Sequence, residues 1–411
     1  MSCSHGLIDL DQSVTWHDLE VEPAELRLDP TLICGQAFRW KRVSLSNGLP
    51  TFVNTLWSRV VYVQQTPTTV LFHGCRYHTS INNSNNDDND IEELRSHLRA
   101  YFQLDTVSLK ELYAGWSKVD ANFAKLTKPS SKDARSRFDG IRIMQQDPVE
   151  CLFAFICSAN NNISRITNMV NALATNYGTP ITKPSDSEST EAVLVGHCFP
   201  TVEQLAVDGV EENLRKLGFG YRAKYIADTA KLLVSEHAPS ASEWLLSLRS
   251  KPYDECRVAL QKLVGVGPKV ADCICLMSLD KHDAIPVDTH VWQIVVRDYK
   301  FKGGSGKTLT VSMHPLIRQA LKDVFGVYCG WAQSVLFASD LKSLQENGTK
   351  NANDAKDNSA KVTATKKTKA KPVSSQPKSE EKASSNGKRL RQQLDDLSIQ
   401  PLRRRSPRLA V

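Results

Sequence analysis

The sequence predicts an α+β protein in three parts: an N-terminal α+β domain with an antiparallel sheet over residues 1–138, an all-helical domain over 139–341, and a disordered basic tail over 342–411. Three observations predict this. Short runs rich in β-branched and aromatic residues cluster between Thr51 and His73. From Asp139 onward apolar residues recur at helical spacing behind recognisable helix starts. From about Gln345 the chain turns to Asn, Asp, Lys, Ser, Thr and Ala with almost no aromatic residue. Such a composition buries too little apolar surface to offset the entropy of ordering it.

The expected strands are Thr51 to Trp57, Arg59 to Gln64 and Val70 to His73. Ile81 to Asp90 is almost entirely Asn, Asp and Ser and reads as a polar, disordered loop. Asp147-Pro148-Val149-Glu150 is a helix start: Asp caps, Pro suits the first helical position and Glu the third. The apolar run Cys151 to Cys157 follows and ends at Asn160-Asn161-Asn162, a turn composition, after which Ile163 opens a second helix. A second polar insertion runs from about Lys183 to Glu191. Further helices are expected over Tyr253 to Leu263, Pro268 to Leu279 and Tyr328 to Leu341.

Charge is distributed unevenly. Of 52 basic and 45 acidic residues, Leu341 to Val411 holds seventeen basic against seven acidic, leaving Met1 to Asp340 slightly acidic. A nucleic-acid reader built on this body must use a local patch, with the tail as a diffuse basic cloud or a targeting signal. Lys366-Lys367-Thr368-Lys369 and Arg403-Arg404-Arg405 suit either role. No apolar run approaches the ~18 residues of a membrane span, and the acidic N-terminal stretch lacks the form of an export or transit signal. Ten cysteines without a short secreted framework are expected to be reduced thiols.

The chemistry concentrates at Leu263-Val264-Gly265-Val266-Gly267-Pro268-Lys269, which joins two helical patterns. Gly265 and Gly267 permit a tight turn with positive φ and leave backbone N–H groups bare at the next helix start, where an anion such as a DNA phosphate fits. This is a helix-hairpin-helix, a motif that non-catalytic DNA binders and plain structural turns also use. Three features favour catalysis. Lys269 sits in the first turn, where the helix dipole and burial are expected to favour the neutral, nucleophilic amine. Cys273 shares its helix face, four residues on. Asp288, in Ile285-Pro286-Val287-Asp288-Thr289, is a plausible partly buried carboxylate and also a candidate helix cap.

Gly-Val-Gly-Pro-Lys followed by Pro-Val-Asp resembles the helix-hairpin-helix, Gly/Pro-rich loop and Asp (HhH-GPD) superfamily of base-excision glycosylases. Within it the chain is most similar to the eukaryotic 8-oxoguanine DNA glycosylase/AP lyase family. The blocks Cys34 to Trp40, Ile156 to Ile163, Leu217 to Ala223 and Gly330 to Phe337 carry the resemblance in order, from about residue 15 to 341, with the tail outside it. Pro268 stands where that family has Thr, and Thr289 where it has Val. Neither change removes a reactive group.

The resemblance implies a bifunctional enzyme. Lys269 attacks the anomeric carbon of the damaged nucleotide, the base leaves, and a Schiff base forms that β-elimination resolves. Asp288 stabilises the positive charge that develops on the sugar. Gln333 pairs with the flipped base, Phe337 stacks on it, Cys273 covers its other face, and the Gly35 carbonyl accepts the hydrogen that 8-oxoguanine carries on nitrogen-7. Asn160, Arg165 and Arg222 hold the opposite cytosine while Tyr221 wedges into the stack. His290, oriented by Asp340, contacts a phosphate. Backbone carbonyls of Gln261, Leu263 and Val266 would hold a structural monovalent or divalent cation; no cofactor is expected for catalysis.

Related iron–sulfur glycosylases carry four cysteines in a C-terminal loop, a spacing missing here, where the last cysteine is Cys329. Alkylated-base glycosylases lack the lysine. A non-catalytic DNA-binding scaffold remains the alternative from another class. The expected partner is damaged double-stranded DNA, with no membrane, a monomeric state and hand-over to downstream repair enzymes. The expected location is the nucleus, and a mitochondrial share is compatible with the sequence.

Overall fold

The structure is a computed structural model that describes residues 14–76, 87–128, 136, 138–183, 193–301 and 308–341. The chain divides into compact units Met1–Lys356 and Asp357–Val411. The second unit, and the expected tail with it, lies outside the described residues.

The N-terminal part holds β1 (His17–Asp18), α1 (Leu28–Ile33), β2 (Lys41–Val43), β3 (Thr51–Leu56), β4 (Arg59–Gln65), β5 (Val70–Arg76), α2 (Asp87–Tyr101), α3 (Leu109–Val119) and α4 (Ala121–Leu126). The five strands form one antiparallel sheet in the order β1-β5-β4-β3-β2. Phe52, Val63 and Phe72 lie opposite one another in register and share a buried core with Leu94 and Leu98 of α2 and with Phe102 just after it. The three expected strands are β3, β4 and β5. The loop expectation for Ile81 to Asp90 is corrected in part: α2 begins at Asp87, and residues 81–86 lie outside the described residues. The reason is a distant partner, since buried Arg59 on β4 donates to Asp90 at 2.7 Å and to Glu93 at 2.9 Å.

The second part holds α5 (Pro148–Cys157), α6 (Ile163–Tyr177), β6 (Pro180–Lys183), β7 (Val193–His197), α7 (Val202–Ala206), α8 (Val210–Lys216), α9 (Arg222–Glu236), α10 (Ala241–Ser247), α11 (Tyr253–Leu260), α12 (Pro268–Ser278), α13 (Thr289–Tyr299), α14 (Met313–Phe325) and α15 (Cys329–Asp340). It is mostly helical, as expected, with one addition: β6 and β7 pair as an antiparallel hairpin on either side of the polar insertion. Its strands are short and expose Val193 and Leu194, so no apolar alternation marks them. Instead the His197 carbonyl accepts from Thr55 Oγ1 and Arg39 Nη2, both from the N-terminal part, at 2.5 Å each. Residues 184–192 lie outside the described residues.

Helix α5 anchors this part. Asp147 caps it by accepting from Val149 N and Glu150 N, Pro148 opens it, and Cys151 to Cys157 are all buried. Each large apolar side chain so buried contributes roughly 1.5–3 kcal/mol. Asn162 caps α6 by accepting from Arg165 N. Helix α12 packs against α5, and α3 and α4 add Leu109, Tyr113, Trp116 and Phe123 to the helical core. None of the cysteines among the described residues is in a disulfide, and no helix there is long and apolar enough to cross a membrane.

Candidate active site

Helix α12 starts without a side-chain cap. Its N-cap is Gly267, with extended backbone and open space where a Cβ would stand. Only Gly265 takes positive φ, +80°, which corrects the reading that gave both glycines that role. A Cβ at Gly265 would lie 2.6 Å from the Tyr225 ring. The hairpin thus leads into a helix start without a side-chain cap, at the positive end of a helix dipole, where an anion is favoured.

Lys269 points from this first turn into a small cavity. Its Nζ lies 5.3 Å from the centre of the Phe155 ring. Burial, the largest single influence, works to lower its pKa. The charges of Cys273 and Asp288 and a hydrogen bond to Cys273 more than reverse that, so the pKa lies above the ordinary lysine value. The expectation of a neutral lysine is therefore corrected for the free protein: interactions with Cys273 and Asp288 outweigh burial. The Cys273 thiol is itself pushed up to about 11, chiefly by burial and against the pull of Lys269.

Asp288 is held rigidly. Its Oδ1 accepts from His290 N at 2.9 Å and from Val291 N at 3.0 Å, capping α13. The expected cap and the expected carboxylate are one group. Two backbone donors keep it in one rotamer beside the cavity.

Gly35, Lys269, Cys273, Asp288, Gln333 and Phe337 line this single cavity, joined by Phe155. The space open inside is only about 60 Å³, room for a few waters. Gln333 is buried, and the Phe337 ring leans edge-on against His290 with 5.9 Å between centres. A roomier cleft of about 470 Å³ lies at the opposite end of α5, between Trp57, Asp147, Thr201 and Arg249. It contains none of the predicted site residues, so the cavity that gathers a lysine, a fixed carboxylate and an aromatic ring is the candidate site. Phe155 was invisible in the sequence because every residue around it in α5 is apolar; Gln36, beside Gly35, sat in the Cys34 to Trp40 block without a role.

The second cluster lies where α5, α6 and α9 end or begin. Asn160 adopts φ +46°, a left-handed conformation that Asn enters more readily than most residues. Arg165 is exposed and donates to the Gly218 carbonyl at 3.1 Å, and Tyr221 is 45% exposed. Arg222 is only 3% exposed. It donates to the carbonyls of Ala159 and Asn160 and lies 4.6 Å from the Tyr221 ring centre. The structure turns Arg222 inward, beneath the Asn160 loop, rather than outward as the expected grip on a base.

His290 is exposed beside Phe337, but Asp340 does not orient it. Asp340 accepts from Arg297 Nη1 at 2.9 Å, a correction that follows from a full cation about two turns further along α13 taking the carboxylate in place of an imidazole. At the hairpin the Leu263 carbonyl accepts from Val266 N at 3.2 Å and keeps a second lone pair. Val264 points elsewhere, its carbonyl accepting from Thr229 Oγ1.

Comparison with known proteins identifies the assembly. The family described as "8-oxoguanine DNA glycosylase, N-terminal domain" matches residues 18–152, and "HhH-GPD superfamily base excision DNA repair protein" matches residues 153–312. The N-glycosylase/DNA lyase OGG1 of Arabidopsis thaliana is 38% identical over 326 residues, which cover 79% of this chain and 80% of the relative. The N-glycosylase/DNA lyase of Saccharomyces cerevisiae is 38% identical over 348 residues, covering 79% and 85%. The crystal structure of Clostridium acetobutylicum 8-oxoguanine glycosylase/lyase, bound to double-stranded DNA with cytosine opposite 8-oxoguanine, aligns with a TM-score of 0.58 at 29% identity and covers 80% of this chain and 94% of its own. The chain therefore belongs to the 8-oxoguanine DNA glycosylase family of the HhH-GPD base-excision-repair superfamily.

Proposed function

We propose that this protein excises 8-oxoguanine opposite cytosine from duplex DNA and then cleaves the strand as an AP lyase. The observation that carries the reading is the convergence of Lys269, Asp288, Gly35, Gln333 and Phe337 on one cavity beside a bare helix N-terminus. DNA anchors its phosphate on the N–H groups after Gly267, with Gly265 shaping the turn and His290 adding a contact. The damaged nucleotide leaves the stack and enters the cavity.

The free amine of Lys269 attacks C1′ of the deoxyribose. The C1′–N9 bond breaks, and the base departs with its electron pair and takes a proton. Asp288, anionic and immobile, offsets the positive charge that develops on the sugar, an effect worth most where water is excluded. The sugar ring opens to a Schiff base on Lys269. Loss of a 2′ proton then expels the 3′ phosphate. Gln333 reads the Watson–Crick edge, Phe337 and Cys273 sandwich the base, and the Gly35 carbonyl accepts from the nitrogen-7 hydrogen. Arg165, Asn160 and Tyr221 meet the opposite strand, and Arg222 supports them from below.

The same proposal includes nuclear targeting through the basic tail, and a cation on the carbonyls of Gln261, Leu263 and Val266, supported by the free lone pair of Leu263. The test is cleavage of duplexes with 8-oxoguanine opposite each of the four bases. Release fastest opposite cytosine, with strand scission, supports the reading; no release opposite any base contradicts it.

A further inference from the structure

The Gly35 carbonyl is proposed above to read the lesion, yet glycine is the residue least able to hold its own carbonyl still. Gly35 sits at φ +89° in the left-handed region. Because the peptide group is planar, the direction of its carbonyl depends on how firmly the next residue is fixed. That residue, Gln36, is fixed at both ends. Its buried side-chain amide donates to the Thr31 carbonyl at 2.9 Å and the Arg142 carbonyl at 2.8 Å, and its Oε1 accepts from Met144 N at 3.0 Å. Its backbone carbonyl accepts from Gln146 Nε2 at 2.8 Å. Gln146, also buried, donates its own N–H to the Met277 carbonyl at 2.9 Å. Met277 lies two turns along α12 from Lys269, and Arg249 secures the Gln146 carbonyl from the other side at 3.1 Å.

Two buried glutamines thus connect the reading carbonyl to the helix that carries the nucleophile. Burying such amides is costly unless they are bonded, and once bonded they specify one geometry. We propose that Gln36 and Gln146 are positioning residues that set the Gly35 carbonyl at a fixed distance from Lys269 and Cys273, so that discrimination of 8-oxoguanine depends on this bridge. The inference rests on the Gly35 reading. The bridge touches no reacting atom, so its loss weakens selectivity more than chemistry.

The test compares binding of two duplexes, one with 8-oxoguanine and one with its 7-deaza analogue, which lacks nitrogen-7 and its hydrogen. Both are measured in the Lys269→Gln background, alone and with Gln146→Met or Gln36→Met. Gln146→Met removes one side-chain bond and keeps the backbone bond to Met277, so it keeps the test decisive if Gln36→Met does not fold. The preference for the lesion is expected to fall about threefold to tenfold, the range of one buried hydrogen bond. Cleavage of a preformed abasic site by Gln146→Met with Lys269 intact is expected to fall by less than this. If Lys269→Gln protein binds both duplexes equally, the Gly35 reading fails and the bridge proposal with it. If it discriminates and Gln146→Met discriminates equally well, the Gly35 reading stands and the bridge proposal is overturned. A fall of both lesion and analogue binding in equal proportion, with abasic cleavage falling alongside, also overturns it, because that is what damaged folding alone produces.

Discussion

The cavity around Lys269 and the surface around Asn160 draw on the same helix, α5, yet they are built on opposite plans. In the cavity the reactive groups are half-buried, few and held in place: Asp288 is tied by two backbone donors, and Lys269 lies among Cys273, Asp288 and the Phe155 ring. On the surface Arg165 and Tyr221 stand in solvent, while Arg222 is spent on holding the Asn160 loop. The first plan suits chemistry, where a fixed charge in a dry site needs no reorganisation. The second suits recognition of a partner base that stays in reach of water. Changes to the cavity should therefore alter rates, and changes to the surface should alter the choice of partner base.

The largest expected effect is that of Lys269→Gln. Base release and strand cleavage should fall by about a thousandfold or more while duplex binding persists; single-turnover rates and a binding titration measure both. Asp288 separates two roles. Asn caps a helix nearly as well as Asp, so Asp288→Asn should keep the melting temperature and lower base release by about a hundredfold to a thousandfold. Asp288→Ala should add about 1 kcal/mol of destabilisation from the lost cap. A wild-type rate in Asp288→Asn would leave the carboxylate as a cap alone.

The raised Lys269 pKa makes a signed prediction. Only the free amine attacks, so its fraction grows with pH throughout the range below that pKa. Single-turnover base release should rise between pH 7 and 9, approaching tenfold per unit, without levelling off near neutrality. A flat profile would mean that bound DNA resets the lysine. A smaller effect belongs to the surface: Arg165→Ala should flatten the preference for cytosine by about tenfold, the lower part of the range for a base-edge contact, with little change in stability because the side chain is exposed. The smallest effect is expected from truncation after residue 345. Turnover on short duplexes should stay within about twofold while nuclear accumulation falls, and loss of most turnover at moderate salt would make the tail part of the catalytic apparatus.

Local signals in the sequence were read well. Asp147-Pro148-Glu150 does open α5, Ile163 does begin α6 after the Asn turn, and Asp288 caps α13. Each depends on neighbours within four residues. What escaped depends on residues far apart in the chain. The start of α2 is paired to Arg59, the β6–β7 hairpin is latched to Arg39 and Thr55, and Asp340 is taken by Arg297. The charge balance at Lys269 belongs to both classes. Cys273 at four residues was legible, but the sum of burial, thiol and Asp288 needed the folded site.

The central claim is that Lys269 forms the covalent bond to DNA. Borohydride reduction of the wild-type protein on an 8-oxoguanine:cytosine duplex, followed by peptide mapping of the cross-link, tests it most directly. The account predicts a trapped adduct on the peptide containing Lys269 and its loss in Lys269→Gln. A trapped adduct on another residue, or undiminished trapping in Lys269→Gln, would contradict it.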